Sequence, residues 1–235
     1  MSSSHVGSQT SGAEAVGRSD DSQYDVRHDR VRYAMPRLSI KDLEPDPIVQ
    51  FGRWLTDAAT AGVAEPNAMV VATATTDGRV RARTVLLRGY DEHGFEFFTN
   101  YDSQKGAHLA ANPEISGCFS WVGSHRQVII EGRAQRTSAQ ESDDYFASRP
   151  YESQVGSAAS PQSTVIASLA EVEDEMRRLE QTHPDAIPRP AHWGGYRIEP
   201  RCVEFWQGNM GRLHDRFRYR RDAAGLPWTL ERLAP

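Results

Sequence analysis

The alternation of apolar and polar positions divides the chain into a polar leader, one early helix, and a long run of strand-like segments interrupted by further helices. Residues 1–29 are rich in Ser, Gly, Asp and Arg with few large apolar side chains. Such a segment buries too little surface to offset its ordering entropy, so a disordered tail is expected ahead of a single domain spanning 30–235. From Tyr33 to Glu44, Leu38, Ile40 and Leu43 can anchor an arm. Asp46-Pro47 then supplies a helix cap followed by proline at the first helical position. Ile48, Val49, Phe51, Leu55, Ala58 and Ala59 recur at helical spacing up to Gly62.

Period-two patterning takes over after that helix. Ala68 to Thr75, Val80 to Arg88 and Phe95 to Asn100 read as a three-stranded meander with turns at Asp77-Gly78 and Asp91 to Gly94. Ser103 caps a short helix that Asn112-Pro113 ends, and strands follow at Ile115 to Val122 and Gln127 to Arg136. Ser138-x-x-Glu141 and Ser168-x-x-Glu171 read as capping boxes opening two helices, with the Ser- and Gly-rich segment Tyr151 to Thr164 between them as a binding loop. Pro184 to Pro190 is a rigid connector, Gly194 to Gln207 and Arg216 to Tyr219 supply strands, and Trp228 to Leu233 closes the chain. Short antiparallel strands interrupted by helices predict an α+β domain built on a small barrel.

Composition narrows the function. A formal charge of −5 over 235 residues argues against a general nucleic-acid binder, so local basic clusters imply a small anion. Cys118 and Cys202 have no metal-ligand spacing and read as thiols in a reducing compartment. No signal-peptide series and no apolar run of roughly 18 residues is present, so a cytoplasmic protein without membrane contact is expected.

Three stretches carry candidate chemistry. Arg212, His214 and Arg216 alternate, so an extended chain would turn two guanidinium groups and an imidazole to one face; the same run also reads as a solvated, arginine-rich strand. Trp206 opens that cluster with a flat ring suited to a planar heterocycle or to closing the core. In Arg81 to Arg88, alternation places Arg81, Arg83, Val85 and Leu87 on one face and Ala82, Thr84, Leu86 and Arg88 on the other. Ser103-Gln104-Lys105 opens a helix whose N-terminal amides favour a phosphate, though serine also caps helices that bind nothing.

The motifs R-T-V-L-L-R, F-F-T-N-Y-D-S-Q-K-G, R-Q-V-I-I-E-G, Y-F-A-S-R-P, S-P-Q-S, H-W-G-G-Y-R and E-F-W-Q-G-N-M-G-R-L-H-D-R, in that order and ending in E-R-L-A-P, resemble the FMN-dependent pyridoxine (pyridoxamine) 5'-phosphate oxidases. The resemblance covers roughly Arg30 to Pro235. It implies an FMN-binding split β-barrel with peripheral helices, a homodimer with two FMN sites at the subunit interface, and no Rossmann crossover. The flavin contacts it implies are Arg83, Thr84, Val85, Leu86, Leu87, Arg88, Phe98, Thr99, Gln104, Lys105, Gln127, Gln162, Ser163, Trp206 and Arg216, with Gln162 and Ser163 reaching the other subunit's flavin. The substrate contacts it implies are Arg88, Tyr145, Arg149, Ser153, Arg212 and His214, of which Tyr145, Arg149 and Ser153 hold the substrate phosphate and Arg212 and His214 act over the pyridine ring as the catalytic pair. Tyr145 and Arg149 are spaced for one helical face. Arg30 and Tyr33 match an arm that covers the substrate.

The implied reaction is oxidation of pyridoxamine or pyridoxine 5'-phosphate to pyridoxal 5'-phosphate, with O2 as acceptor and H2O2 as product. The chain departs from the family pattern at Arg88, where lysine is usual, at Gln104, where arginine is usual in S-R-K, at Tyr151, where arginine is usual, and at Ala158, where tryptophan is usual. Two alternatives follow from those departures. One is a related FMN oxidase acting on a dihydrophenazine-type tricycle, and the other is a flavin or pyridoxal-phosphate binding protein without turnover.

Overall fold

The computed structural model describes Tyr33 and residues 35–235, so Arg30 and the expected tail lie outside the described residues. Helix α1 (Pro47–Thr60) begins where the sequence places it, with the Asp46 carboxylate accepting from the Ile48 amide at 2.7 Å. Its buried stripe is Phe51, Trp54 and Ala58, while Val49 is turned to solvent. That i, i+3, i+7 spacing lays two large rings on the concave side of the sheet, where Phe51 meets Phe95 and Phe119, and Trp54 meets Phe205.

Nine antiparallel strands form one curled sheet. They are β1 (Ala68–Ala74), β2 (Val80–Leu86), β3 (Gly89–Asp91), β4 (Gly94–Asn100), β5 (Glu114–Trp121), β6 (Arg126–Arg136), β7 (Trp193–Gln207), β8 (Asp215–Arg220) and β9 (Thr229–Leu233). The order is β2-β1-β5-β6-β7-β4-β3, with β8 between β7 and β9. The expected meander is therefore corrected: β1 and β2 form a hairpin, but β4 leaves it and pairs with β7 about a hundred residues later, Phe95 opposite Ile198. At 15 residues β7 serves two partners on one side, β4 up to Ile198 and β8 from Cys202. Between those two ladders its register against β6 shifts, with Gly132 facing Pro200 and Glu131 facing Cys202. Such a bulge bends a strand and lets the sheet turn its corner. A Cβ on Gly132 would stand 2.1 Å from the Glu199 carbonyl oxygen, so only glycine fits there.

Four more helices flank the sheet: α2 (Gln104–Ala111), α3 (Ala139–Ala147), α4 (Tyr151–Ala159) and α5 (Ala170–Thr182). The Ser138–Glu141 capping box is formed, whereas the Ser168 box is not: Leu169 caps α5 and no side chain bonds its first turn. The expected binding loop also differs, because Tyr151 to Ala159 is helical and only the residues after it turn freely. Phe146, Val155, Ile187 and Trp193 form a small second core under α3 and α4. No helix among the described residues is long and apolar enough to cross a membrane, and no cluster of metal-ligating side chains occurs among them.

Candidate active site

A cavity of about 750 Å³ opens at the β2 edge, between β2, β4, the start of α2, the end of α3 and α4. That volume suits a ligand the size of a dinucleotide half or a cofactor with a small substrate. Five cations line it, Arg81, Arg83, Arg88, Lys105 and Arg149, and no Asp or Glu does. Among the described residues none of the five forms an ion pair with a carboxylate. Unneutralised positive charge of this density draws an anionic ligand.

The cations fall into two groups by their neighbours. In the first, the Ser103 hydroxyl caps α2, accepting from the Gly106 amide. Gly106 is required there, since a Cβ would stand 1.9 Å from the Tyr101 carbonyl oxygen. Lys105, in the first turn, donates to Ser103 Oγ (3.1 Å) and Gln162 Oε1 (2.6 Å). Burial, and then the charge of Arg83, push the Lys105 pKa down to about 8. Burial also lowers the Arg83 pKa, with Arg81 adding to it. Arg81 in turn donates to Gln104 Oε1. Three cations and a helix N-terminus thus converge where no acid balances them.

In the second group, Arg149 packs its guanidinium 4.7 Å from the Trp193 ring centre and donates to Ser157 Oγ at 2.8 Å. Burial lowers its pKa, Tyr145 opposes that, and Arg88 reinforces it. Phe98, Tyr145 and Trp193 stack as near-parallel rings, Phe98 to Tyr145 at 4.0 Å, and give the cavity a flat aromatic wall. Arg149 follows α3 instead of sharing a helical face with Tyr145.

The structure brings Arg83, Thr84, Val85, Leu86, Arg88, Phe98, Thr99, Gln104, Lys105, Tyr145, Arg149, Gln162 and Ser163 together around this cavity. Leu87 points into the main core instead, and Ser153 lies on α4 one turn before the lining residues Gly156 and Ser157. Gln162 and Ser163 line the cavity of their own chain. Ser163 has φ of 75°, a left-handed backbone that is strained for a non-glycine residue. Arg81, Ser157 and Trp193 are lining residues the motif reading missed; the shared face of Arg81 and Arg83 was the available signal.

Gln127, Trp206, Arg212, His214 and Arg216 do not line this cavity. Gln127, Trp206 and Arg216 stand in one cross-strand row on β6, β7 and β8, on the side of the sheet away from the core. The alternation of Arg212, His214 and Arg216 fails, because Gly211 and Arg212 adopt left-handed φ of 67° and 60° in a tight turn before β8. Arg216 pairs with Glu204 through Nε (2.8 Å) and Nη2 (3.1 Å). His214 accepts from the Asn209 amide through Nδ1 and packs against Trp206 at a tilt, with the Tyr33 ring beside both. The arm is latched nearby by Asp215, which takes Arg37, the Leu38 amide, Asn209 and Arg232. Burial raises the Asp215 pKa, but these donors outweigh it and hold the carboxyl below its ordinary value.

Of the departures from the resembled pattern, Arg88 and Gln104 line the cavity, and Tyr151 and Ala158 do not. Tyr151 donates its hydroxyl to the His183 carbonyl, and Ala158 packs in the second core.

A family model described as pyridoxamine 5'-phosphate oxidase matches residues 55–183, and one described as the pyridoxine 5'-phosphate oxidase C-terminal dimerisation region matches residues 193–235. The pyridoxine/pyridoxamine 5'-phosphate oxidase of Burkholderia multivorans is 52% identical over 207 residues, 88% of this chain and 97% of the relative. That of Salinibacter ruber is 50% identical over 208 residues, with the same coverage. Among solved structures, PhzG from Burkholderia lata in complex with tetrahydrophenazine-1-carboxylic acid superposes with a TM-score of 0.81 at 33% identity, covering 87% of this chain and all of that one. A pyridoxamine 5'-phosphate oxidase-related, FMN-binding protein from Nostoc punctiforme shares the fold, at a TM-score of 0.64 and 17% identity over 78% of this chain and 96% of that one. The split barrel is thus that of an oxidase-like flavin oxidoreductase. The chain belongs to the pyridoxamine 5'-phosphate oxidase family.

Proposed function

We propose that the chain binds FMN in this cavity and oxidises pyridoxamine 5'-phosphate or pyridoxine 5'-phosphate to pyridoxal 5'-phosphate, with oxygen as acceptor and hydrogen peroxide as product. The observation that carries the reading is the division of the cavity's uncompensated cations into two groups, Arg81, Arg83 and Lys105 on one side and Arg88 and Arg149 on the other. Two phosphates answer two groups. FMN, when bound, supplies the redox chemistry, taking hydride from the C4' carbon and returning the electrons to oxygen. The chain's own residues position and neutralise. Arg83 and Lys105 hold the cofactor phosphate, and Thr99 and Gln162 face its ring. Arg149 and Tyr145, with Ser157 and the neighbouring Ser153, hold the substrate phosphate and set its pyridine ring against the flavin.

Gln127, Trp206, Arg212, His214 and Arg216 complete the cavity of a second copy in this reading, with Arg212 and His214 orienting the reacting substituent. A two-fold dimer does this twice. Support comes from the dimerisation-region match and from the sheet's outer face, where Val70, Cys118 and Ile129 form an apolar row in register across three strands. The likeness to PhzG favours a second reading, a reduced phenazine carboxylate as substrate. Anaerobic mixing decides between them. Bleaching of bound flavin by pyridoxamine or pyridoxine phosphate is expected; bleaching by a dihydrophenazine carboxylate alone would select the second reading, and bleaching by neither would leave a binding protein.

A further inference from the structure

We infer that Thr73 and His108 are positioning residues that aim Arg83 at the cofactor phosphate, an inference that rests on the FMN reading above. Arg83 sits on the edge strand β2, where a long side chain has solvent on one flank and must lose its rotamer freedom to meet a ligand. The structure removes that freedom in advance. Nη1 donates to the Val71 carbonyl oxygen (3.3 Å) and to Thr73 Oγ1 (2.7 Å), both on β1. Those two bonds use both Nη1 hydrogens and leave Nε and Nη2 with three N–H groups, the edge that matches two phosphate oxygens.

Thr73 is itself held. A guanidinium can only donate, so Thr73 accepts from Arg83, and the same hydroxyl is hydrogen-bonded to His108 Nδ1 at 3.1 Å. Thr73 is 1% and His108 8% exposed, so water cannot readily take either place. His108 follows Lys105 by three residues on α2 and shares its face of the helix. One helix thus presents Lys105 directly and, through His108 and Thr73, fixes the second cation.

Flavin-free protein titrated with FMN and with riboflavin, which lacks the phosphate, tests this. Thr73→Val keeps the shape but not the hydroxyl, and should weaken FMN binding about five- to tenfold while leaving riboflavin within about twofold. His108→Leu should move FMN the same way. His108→Asn, whose amide oxygen can stand near Nδ1, should restore most of the loss. Equal weakening of both flavins in Thr73→Val, or an unchanged FMN affinity, overturns the inference while a wild-type preference for FMN leaves the cofactor reading intact. Wild-type protein that binds both flavins alike removes the phosphate site and this inference with it. Should His108→Leu fail to fold, Thr73→Val and His108→Asn decide alone.

Discussion

Arginines serve two regions of this molecule on opposite terms. Around the cavity, Arg83, Arg149 and Lys105 face no acid, and burial lowers the pKa of each. On β8 every arginine carries its own carboxylate: Arg216 pairs with Glu204, Arg218 with Glu231 and Arg220 with Asp222. There the hydrogen bonds the arginines donate to Glu204 and Glu231 raise the pKa of Arg216 and Arg218. The same residue type is thus left with an uncompensated charge around the cavity and met by a carboxylate of its own chain on β8. Leaving one buried and two half-buried charges unpaired costs folding energy, which a bound anion returns.

Substitutions sharpen that contrast. The largest effect is expected from Lys105→Met, which removes a partly desolvated charged contact to the cofactor phosphate and should weaken FMN by about 10- to 100-fold, read by flavin fluorescence quenching. Arg149→Ala should raise KM for pyridoxamine phosphate by about tenfold or more with a smaller change in kcat, because the phosphate contact exists in ground and transition states alike.

Lys105 also predicts a pH dependence. Its folded pKa of about 8 lies below the ordinary 10.5, so between those values the unfolded chain binds more protons and the stability of flavin-free protein should rise with pH. A bound phosphate favours the protonated amine, so FMN affinity should fall above about pH 8, by at most about tenfold per unit. Lys105→Arg should flatten both profiles. The smallest effect belongs to the paired region: Glu204→Gln frees Arg216 at a site about a third exposed and should cost under about 1 kcal/mol in a denaturant titration. A loss comparable to that of a core substitution would break the contrast.

How much of this was legible in sequence follows from range. Helix α1, the β1–β2 hairpin and the α2 cap were readable because Asp46-Pro47, Asp77-Gly78 and Ser103 act locally. Helix α4 was missed because its serines and Gly156 imitate a loop, while Gln154 ties it from within to Ala147, Arg149 and Ile187. The strand order was hidden because β4 and β7 pair across a hundred residues. At the site, motif resemblance found Arg83, Lys105 and Arg149. Period-two reasoning placed Arg212 and Arg216 on one face, and the left-handed Gly211-Arg212 turn defeats it. The pairing of Arg216 was equally invisible, because Glu204 lies on a neighbouring strand.

The central claim is that two phosphates occupy two cation groups in one cavity. A crystal structure of the FMN-loaded protein with pyridoxal 5'-phosphate tests it most directly. The account predicts the flavin phosphate within hydrogen-bond distance of Arg83 and Lys105, and the vitamer phosphate on Arg149 and Ser157. A flavin phosphate seated on Arg149, or a vitamer phosphate bound outside this cavity, would contradict it.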